Sequence, residues 1–509
     1  MQEVFRKIES EQGDREVVRY IAGEDLVRIS NRKLWQDVKT VAAALHHLGL
    51  TDAHIGVCGS NNYRWMVSFF AVIASGNVVV PLDANLKGED LAARLEQADI
   101  CAVFSDRSAE ALDIPMVSME EVQNQISSQR MDITMDTTEE AVSLQGECSA
   151  SDAILLPFSA SAYTEICDTW CPNPRGPHDM ACIIFTSGTT ARPKAVMVSH
   201  RGMIASCCND IVGDTFEVQL AVLPFHHLVG YNCPLNTICL GGIVCLEENL
   251  QYMMRDMELL KVDYMFAVPS MLRVFAKRLA RTPEGDLYGN AIGWNIHMFG
   301  SGGASFEPDV MDVFEAHGIR VLQGYGASEA GGMGLTMVMK ADGGDSIGRA
   351  FPGLEVKIED HELLLRSDSI MLGYYKDPEA TAEALTDGWY HTGDVCSMDE
   401  DGYLHLHGRK KNLIILSNGE NISPEALETK LIACEDMAEI MVYEKSDSLA
   451  CRIRANAPAD GETLEDVQRR VRTYMDDYNQ EAPGYQKIRF IEFTEEPFRR
   501  NALGKLVRG

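Results

Sequence analysis

Residues Cys182 to His200, CIIFTSGTTARPKAVMVSH, concentrate side chains suited to phosphate chemistry. The apolar run Cys182-Ile183-Ile184-Phe185 reads as a short buried strand, and it breaks into Thr186-Ser187-Gly188-Thr189-Thr190, all hydroxyl-bearing or glycine. Pro193-Lys194 follows, and a second apolar segment, Ala195 to Val198, closes on Ser199-His200. Such a loop suits a polyphosphate. Glycine lets backbone approach closely, hydroxyls and amide N–H groups donate to phosphate oxygens, and Lys194 offers a point positive charge. It is not a Walker loop, because Pro193 stands where G-x-x-x-x-G-K requires its second glycine. An ordinary Ser/Thr/Gly turn in a hairpin accounts for the same residues, so the stretch needs support from elsewhere.

Further turns of the same kind recur along the chain. Phe299-Gly300-Ser301-Gly302-Gly303-Ala304 follows a strand pattern and lets backbone lie flat against a planar ligand. Gly324-Tyr325-Gly326-Ala327-Ser328-Glu329 sets an aromatic between glycines, then a hydroxyl and a carboxylate. Tyr390-His391-Thr392-Gly393-Asp394 places a carboxylate after a turn, and Gly408-Arg409-Lys410-Lys411-Asn412 clusters cations. Asn501-Ala502-Leu503-Gly504-Lys505 carries a lysine beside glycine near the last residue. Taken singly, each of these is more often a plain turn than a ligand contact.

The elements that must position these turns follow from hydrophobic periodicity. Leu34, Val38, Val41, Ala42, Leu45 and Leu48 recur at helical spacing before Gly49. Strands at His54–Cys58, Val78–Leu82 and Ile100–Phe104 alternate with helices through Ala74 and over Gly88–Ala98, which predicts an α/β domain with a largely parallel sheet buried on both faces. Residues 108–176 are acidic and polar and read as connecting structure, with a strand over Met131–Thr138. Alternation resumes from Gly202 to Gln323, and the strand Gln219–Pro224 delivers Phe225-His226-His227. After Ser346 shorter strands and turn signals predict a β-rich subdomain. Past Gly408, Ser423-Pro424-Glu425 supplies an N-cap, a first-turn proline and an acid, opening a small α+β unit of about 100 residues.

Composition bounds the function. At 509 residues the chain predicts more than one domain, and 46% hydrophobic with 24% charged residues marks a globular protein. A formal net charge of −31 argues against nucleic-acid binding and against a basic lipid-binding patch. No secretory signal and no run of about 18 apolar residues is present. The 14 cysteines lack a CxxC pair. Cys167 and Cys171 near His178 have poor zinc spacing, so free thiols in a reducing cytosol, and a cytoplasmic location, are expected.

In this order, TSGTT…PK, PFHH, SGGA, GYGASE, GWYHTGD, GRKKNLIILSNGENISP and GK, the motifs resemble the adenylate-forming superfamily of acyl-CoA synthetases, peptide-synthetase adenylation domains and firefly-type luciferases. VVVPLD, MLGYYKDPEAT and NLIILSNGENISPE are most similar to bacterial long-chain fatty acyl-CoA synthetases. The resemblance implies a large AMP-binding α/β domain with a β-rich subdomain over residues 1–409, and a small mobile α+β domain over 410–509 with a hinge near Lys411. It implies ATP-dependent joining of a carboxylate, a medium- or long-chain fatty acid, to AMP with release of pyrophosphate. Transfer to the thiol of CoA, or of a carrier-protein phosphopantetheine, would follow. Thr186, Ser187, Gly188, Thr189, Thr190 and Lys194, with Ser328, would hold phosphates, and Glu329 would bind Mg²⁺. Tyr325 would stack on adenine against Gly303 and Ala304, and Asp394 and Arg409 would hold the ribose. Lys505 would act in adenylation and leave when the small domain rotates to present Gly419, while His227 would line the acyl and thiol entrance. The chain departs from the family pattern at Ala191, Ala195 and Ser328. Two readings stay beside the ligase: an enzyme that loads an acyl or aryl acid onto a carrier protein, and an inactive nucleotide-binding scaffold. The alanines favour the scaffold; retention of Lys505, Glu329, Asp394 and Arg409 counts against it.

Overall fold

A computed structural model describes the chain except residues 114–116, 119–152, 158–169, 171–172, 187–192, 209–215, 283–291, 294, 304–307, 333–345, 418–420, 460 and 500–509. Two large sheets dominate. One has eight strands in the order Gly373–Tyr374, Lys194–Ser199, Met180–Thr186, Val78–Leu82, His54–Cys58, Ile100–Ser105, Ile154–Pro157 and Val117–Ser118. From Met180–Thr186 to the Val117–Ser118 edge the strands run parallel, and Lys194–Ser199 runs antiparallel to both of its neighbours, Gly373–Tyr374 and Met180–Thr186. The other has seven, ordered Arg320–Gln323, Met298–Ser301, Tyr264–Ala267, Val218–Ala221, Ile243–Leu246, Glu16–Ala22 and Asp25–Ser30, all parallel but the last.

The strand Val78–Leu82 is buried at every position, as a β-branched run in a two-sided sheet must be. The helices Asn31–His47 and Tyr63–Ala74 share one apolar core with residues of both sheets, among them Val17, Val244, Ile55 and Val79. Ser30 Oγ accepts from Lys33 N and Asn62 Oδ1 from Trp65 N, capping the two helices where the sequence leaves the strand pattern.

After Ser346 an antiparallel sheet forms from Glu355–Glu359, Glu362–Arg366, Trp389–Met398 and Leu385–Thr386, with Leu404–Arg409 paired to Trp389–Met398. Beyond it, Met437–Glu444, Leu449–Ala455 and Ile488–Phe493 make a three-stranded sheet. The helices Pro424–Leu431 and Leu464–Glu481 contribute Leu427, Leu431, Val471 and Met475 to the same separate apolar core. The expected cap at Ser423 forms, its Oγ accepting from Ala426 N at 3.2 Å.

The structure corrects one expectation. Residues 108–176 are more than connecting structure, since Val117–Ser118 and Ile154–Pro157 extend the eight-stranded sheet at its edge. The expected strand over Met131–Thr138 lies outside the described residues. The first thirty residues also supply a helix, Gln2–Gln12, and a hairpin that continues the seven-stranded sheet. The 11 described cysteines are free. Among the described residues, no helix is long and apolar enough to cross a membrane.

Candidate active site

The phosphate stretch is a hairpin. Met180–Thr186 and Lys194–Ser199 pair antiparallel, and their register sets Thr186 directly opposite Lys194. Thr186 and Lys194 therefore stand at the two ends of the loop that carries Ser187, Gly188, Thr189 and Thr190; those four and Ala191 lie outside the described residues. Ala195, one of the family departures, sits in regular strand pairing with Phe185, where alanine meets no conformational obstacle.

On the open side of that hairpin runs Gly373–Tyr374, with Tyr374 paired to Val196 and Gly373 to Met197. Tyr374 lies beneath Lys194, whose Nζ is 4.2 Å from the ring centroid. Its hydroxyl donates to Glu329 Oε1 at 2.9 Å. Ser328 and Glu329 themselves form a single 3₁₀ turn, Ser328–Ala330, pinned by Met371 N donating to Glu329 O at 2.8 Å and by Asn232 Nδ2 donating to Gly331 O at 2.8 Å. Burial pushes the Tyr374 phenol up, and the Glu329 carboxylate adds to the effect, so the hydroxyl remains a donor. Among the described residues, neither Lys194 nor Glu329 forms an ion pair.

The second group lies at the parallel pair Met298–Ser301 and Arg320–Gln323. Gly324 N donates to Ser301 O at 2.8 Å, so the two glycine turns leave the sheet together. A Cβ on Gly302 would lie 3.0 Å from Gly324 O, and Gly303 has φ +84°. Glycine at both positions thus answers a close approach and a left-handed backbone. Tyr325 OH donates to Asp394 Oδ2 at 2.5 Å, and Arg409 Nε meets Asp394 Oδ1 at 2.7 Å. Asp394 and Arg409 are register partners in the antiparallel sheet, and Arg409 Nη1 also donates to Thr392 O at 3.1 Å. A carboxylate oxygen can accept more than one hydrogen bond, which suits Asp394 to a diol.

Electrostatic neighbourhood joins the two groups. Burial lifts the Tyr390 phenol, reinforced by Glu329, Tyr325 and Tyr374 around it. Arg409 is raised although burial opposes this, because Asp394, Tyr325, Tyr390 and Glu329 hold its charge. Lys411, in the 3₁₀ turn Lys410–Asn412, is lowered by burial and then by Arg409 and Lys194. Lys194, Lys411, Arg409, Asp394, Tyr325, Tyr390, Glu329 and Tyr374 thus surround one site, with a cation and a carboxylate at each end: Lys194 and Glu329 about Tyr374, and Arg409 with Asp394. A nucleotide polyphosphate with a divalent cation matches that placement of charge.

His227 is the N-cap of the helix Leu228–Cys239, and its ring lies 4.1 Å from that of His226. Burial and the neighbouring His226 push it down to about 4, so it is neutral near pH 7. The same helix carries Asn232, which ties it to the turn after Glu329. Ala304, Gly419 and Lys505 lie outside the described residues. Tyr374 and Tyr390 are members of the site to which motif reading gave no role, although each lies within a quoted motif. Their signal was a tyrosine directly after Gly373 in MLGYYKDPEAT and one before His391 in GWYHTGD.

The fold and this ring of residues define an adenylate-forming enzyme. The chain belongs to the AMP-binding enzyme family, whose description matches residues 5–375. It is 25% identical over 471 residues to long-chain-fatty-acid–CoA ligase 1 of Cavia porcellus, covering 81% of this chain and 66% of that protein. It is 30% identical over 363 residues to feruloyl-CoA synthase of Amycolatopsis sp, covering 66% of this chain and 70% of that one. O-succinylbenzoate coenzyme A synthetase from Bacillus subtilis, solved with AMP, superposes with a TM-score of 0.77 at 18% identity, covering 99% of this chain and 97% of that one. The same synthetase has been solved with ATP and a magnesium ion, at a TM-score of 0.75. The chain is an AMP-forming acid–CoA ligase that uses ATP, Mg²⁺ and CoA.

Proposed function

We propose that the chain activates a medium- or long-chain fatty acid as acyl-AMP and passes the acyl group to the thiol of CoA. The observation that carries the adenylation step is the ring that puts Lys194 and Glu329 at one end and Asp394, Arg409 and Tyr325 at the other. Joining a carboxylate to a triphosphate brings like charges together, so catalysis depends on holding both and on stabilising charge at the α-phosphate. Lys194 and the loop from Thr186 to Thr190, with Ser328, hold the departing phosphates. Asp394 and Arg409 fix the ribose, and Tyr325 offers its face to adenine opposite Gly303 and Ala304.

Glu329 suits Mg²⁺, a hard ion held by one or two carboxylates together with substrate phosphates. One of its oxygens takes the Tyr374 hydroxyl, and among the described residues no cation competes for the carboxylate. When bound there, the ion would draw charge off the phosphate oxygens. Lys505 would approach the reacting carboxylate and α-phosphate, and a rotation of residues 410–509 about Lys411 would replace it with the Gly419 loop for thioester formation. His227 would line the acyl and thiol entrance. The free thiols suit a reducing cytoplasm.

Similarity to a long-chain ligase over 81% of the chain supports the fatty acid. A second reading, an aryl acid, is favoured by the higher identity to a feruloyl-CoA synthase. ATP–pyrophosphate exchange across fatty, aryl and amino acids tests both, with fatty acids of medium or long chain expected to give the highest rate. Exchange confined to aryl acids would overturn the first reading, and transfer to a holo-carrier protein in preference to CoA would overturn the acceptor. Lys505→Ala is expected to abolish exchange while leaving transfer from preformed acyl-AMP largely intact. Equal impairment of both half-reactions would count against the two arrangements of the small domain.

A further inference from the structure

Lys194 and Glu329 carry opposite charges into the same site, and each must remain available to a different partner. If the ammonium and the carboxylate met directly, the pair would neutralise itself and both groups would have to be separated before phosphate and metal could bind. What stands between them is Tyr374, only 6% exposed. Its hydroxyl donates to Glu329 Oε1 at 2.9 Å, and its π face receives Lys194 Nζ at 4.2 Å from the centroid. A phenol is suited to this place. It is neutral, it offers a donor to the anion along its edge, and it offers quadrupolar attraction to the cation above its face. A hydrogen bond through one carboxylate oxygen leaves the other for a metal, and a cation over a ring keeps its N–H donors directed outward.

The ring is held independently of these two contacts. Tyr374 pairs with Val196 in the sheet, its N–H donates to Thr381 Oγ1 at 2.9 Å, and Tyr375 N donates to Ala195 O at 2.8 Å. The backbone therefore stays in place when the hydroxyl is removed.

We propose that Tyr374 is a positioning residue that holds Glu329 and Lys194 apart and aims one at the metal and the other at the phosphates of the nucleotide. The inference rests on the adenylation reading above. Its two halves separate by substitution. Tyr374→Phe removes the hydroxyl and keeps the ring, so it acts on Glu329 alone. Tyr374→Leu removes both, and releases Lys194 as well.

Isothermal titration of the full chain with ATP plus Mg²⁺, with ATP in chelator, and with AMP reads these contributions without turnover. For Tyr374→Phe, affinity for ATP with Mg²⁺ falls about tenfold, the scale of one hydrogen bond to a charged group, while metal-free ATP and AMP bind as in the wild type. For Tyr374→Leu, metal-free ATP also weakens, by roughly two- to fivefold on the scale of a cation–π contact, and AMP binding is retained. A Tyr374→Phe chain that binds all three like the wild type, or loses all three equally, overturns the assignment to Glu329. A Tyr374→Leu chain with unchanged metal-free affinity overturns the assignment to Lys194. A wild-type chain that binds no ATP would instead overturn the adenylation reading itself.

Discussion

At the scale of single residues the site depends on one buried carboxylate. The side chain of Asp394 is 3% exposed, and it is compensated by Arg409 Nε at 2.7 Å and the Tyr325 hydroxyl at 2.5 Å. Its own N–H donates to Thr392 Oγ1 at 3.0 Å, so the turn cannot swing the carboxylate out to solvent without breaking sheet contacts. Arg409→Met removes the cation that meets Asp394 Oδ1 and weakens the compensation of a buried charge. Removing one partner of a buried ion pair costs about 3–5 kcal/mol, and the 42% exposure of the Arg409 side chain puts this case at or somewhat below the lower end, about 2–3 kcal/mol. Urea denaturation measures that loss, and AMP titration is expected to show binding weakened at least tenfold. Wild-type AMP affinity in Arg409→Met would remove Arg409 from the nucleoside contacts. These residues were legible from their motifs because each lies beside a glycine turn. Tyr374 was not, because its role arises from pairing with a strand nearly 180 positions earlier, and a sequence motif does not carry that register.

At the scale of elements, Gly373–Tyr374 is the piece on which the phosphate side of the site turns. Gly373 has φ +140°, and a Cβ there would lie 2.6 Å from Thr381 Cγ2 and 3.0 Å from Thr381 Oγ1, the atom that receives Tyr374 N–H. Gly402 also has a positive φ, +82°, but no atom lies within 4 Å of the Cβ position. Alanine at Gly402 is therefore expected to cost about 1 kcal/mol from backbone strain alone. Alanine at Gly373 adds the collision and is expected to cost about 2–4 kcal/mol and to weaken ATP binding in the presence of Mg²⁺, since it displaces Tyr374. Melts of the two variants, with ATP titrations, check this, and equal costs with unaltered binding would show that the Gly373 turn does not set Tyr374. Long periodic segments such as Asn31–His47 and Val78–Leu82 were readable because their burial repeats within a few residues. The strand Glu16–Ala22 was not: Glu16 and Arg19 interrupt its pattern, and it is fixed by parallel pairing with Ile243–Leu246, over two hundred residues away. Val117–Ser118 and Ile154–Pro157 are too short to carry a period at all.

At the scale of the whole molecule, buried imidazoles make stability depend on pH on the acid side. His200 is 2% exposed at the start of the helix His200–Cys207, and its Nε2 has no hydrogen-bond partner among the described residues. Burial pushes it down to about 4, and His227 is likewise pushed down to about 4 by burial and by His226. In the unfolded chain each takes a proton near 6.5. Between about pH 6.5 and 4 the unfolded state therefore binds more protons than the folded one, and stability falls as pH drops through that window; above it the contribution is fully present. At pH 5 a single such group removes about 2 kcal/mol relative to neutral pH. His200 lies in the core of the molecule and outside the ring of site residues, so its titration can be removed while the nucleotide contacts are left in place. His200→Leu is expected to flatten the fall in stability between pH 7 and pH 5 by about 2 kcal/mol, with His227 supplying much of the slope that remains. Urea denaturation midpoints of wild type and His200→Leu at the two pH values give the comparison. Parallel pH profiles would mean that the acid sensitivity of the fold resides in groups other than His200.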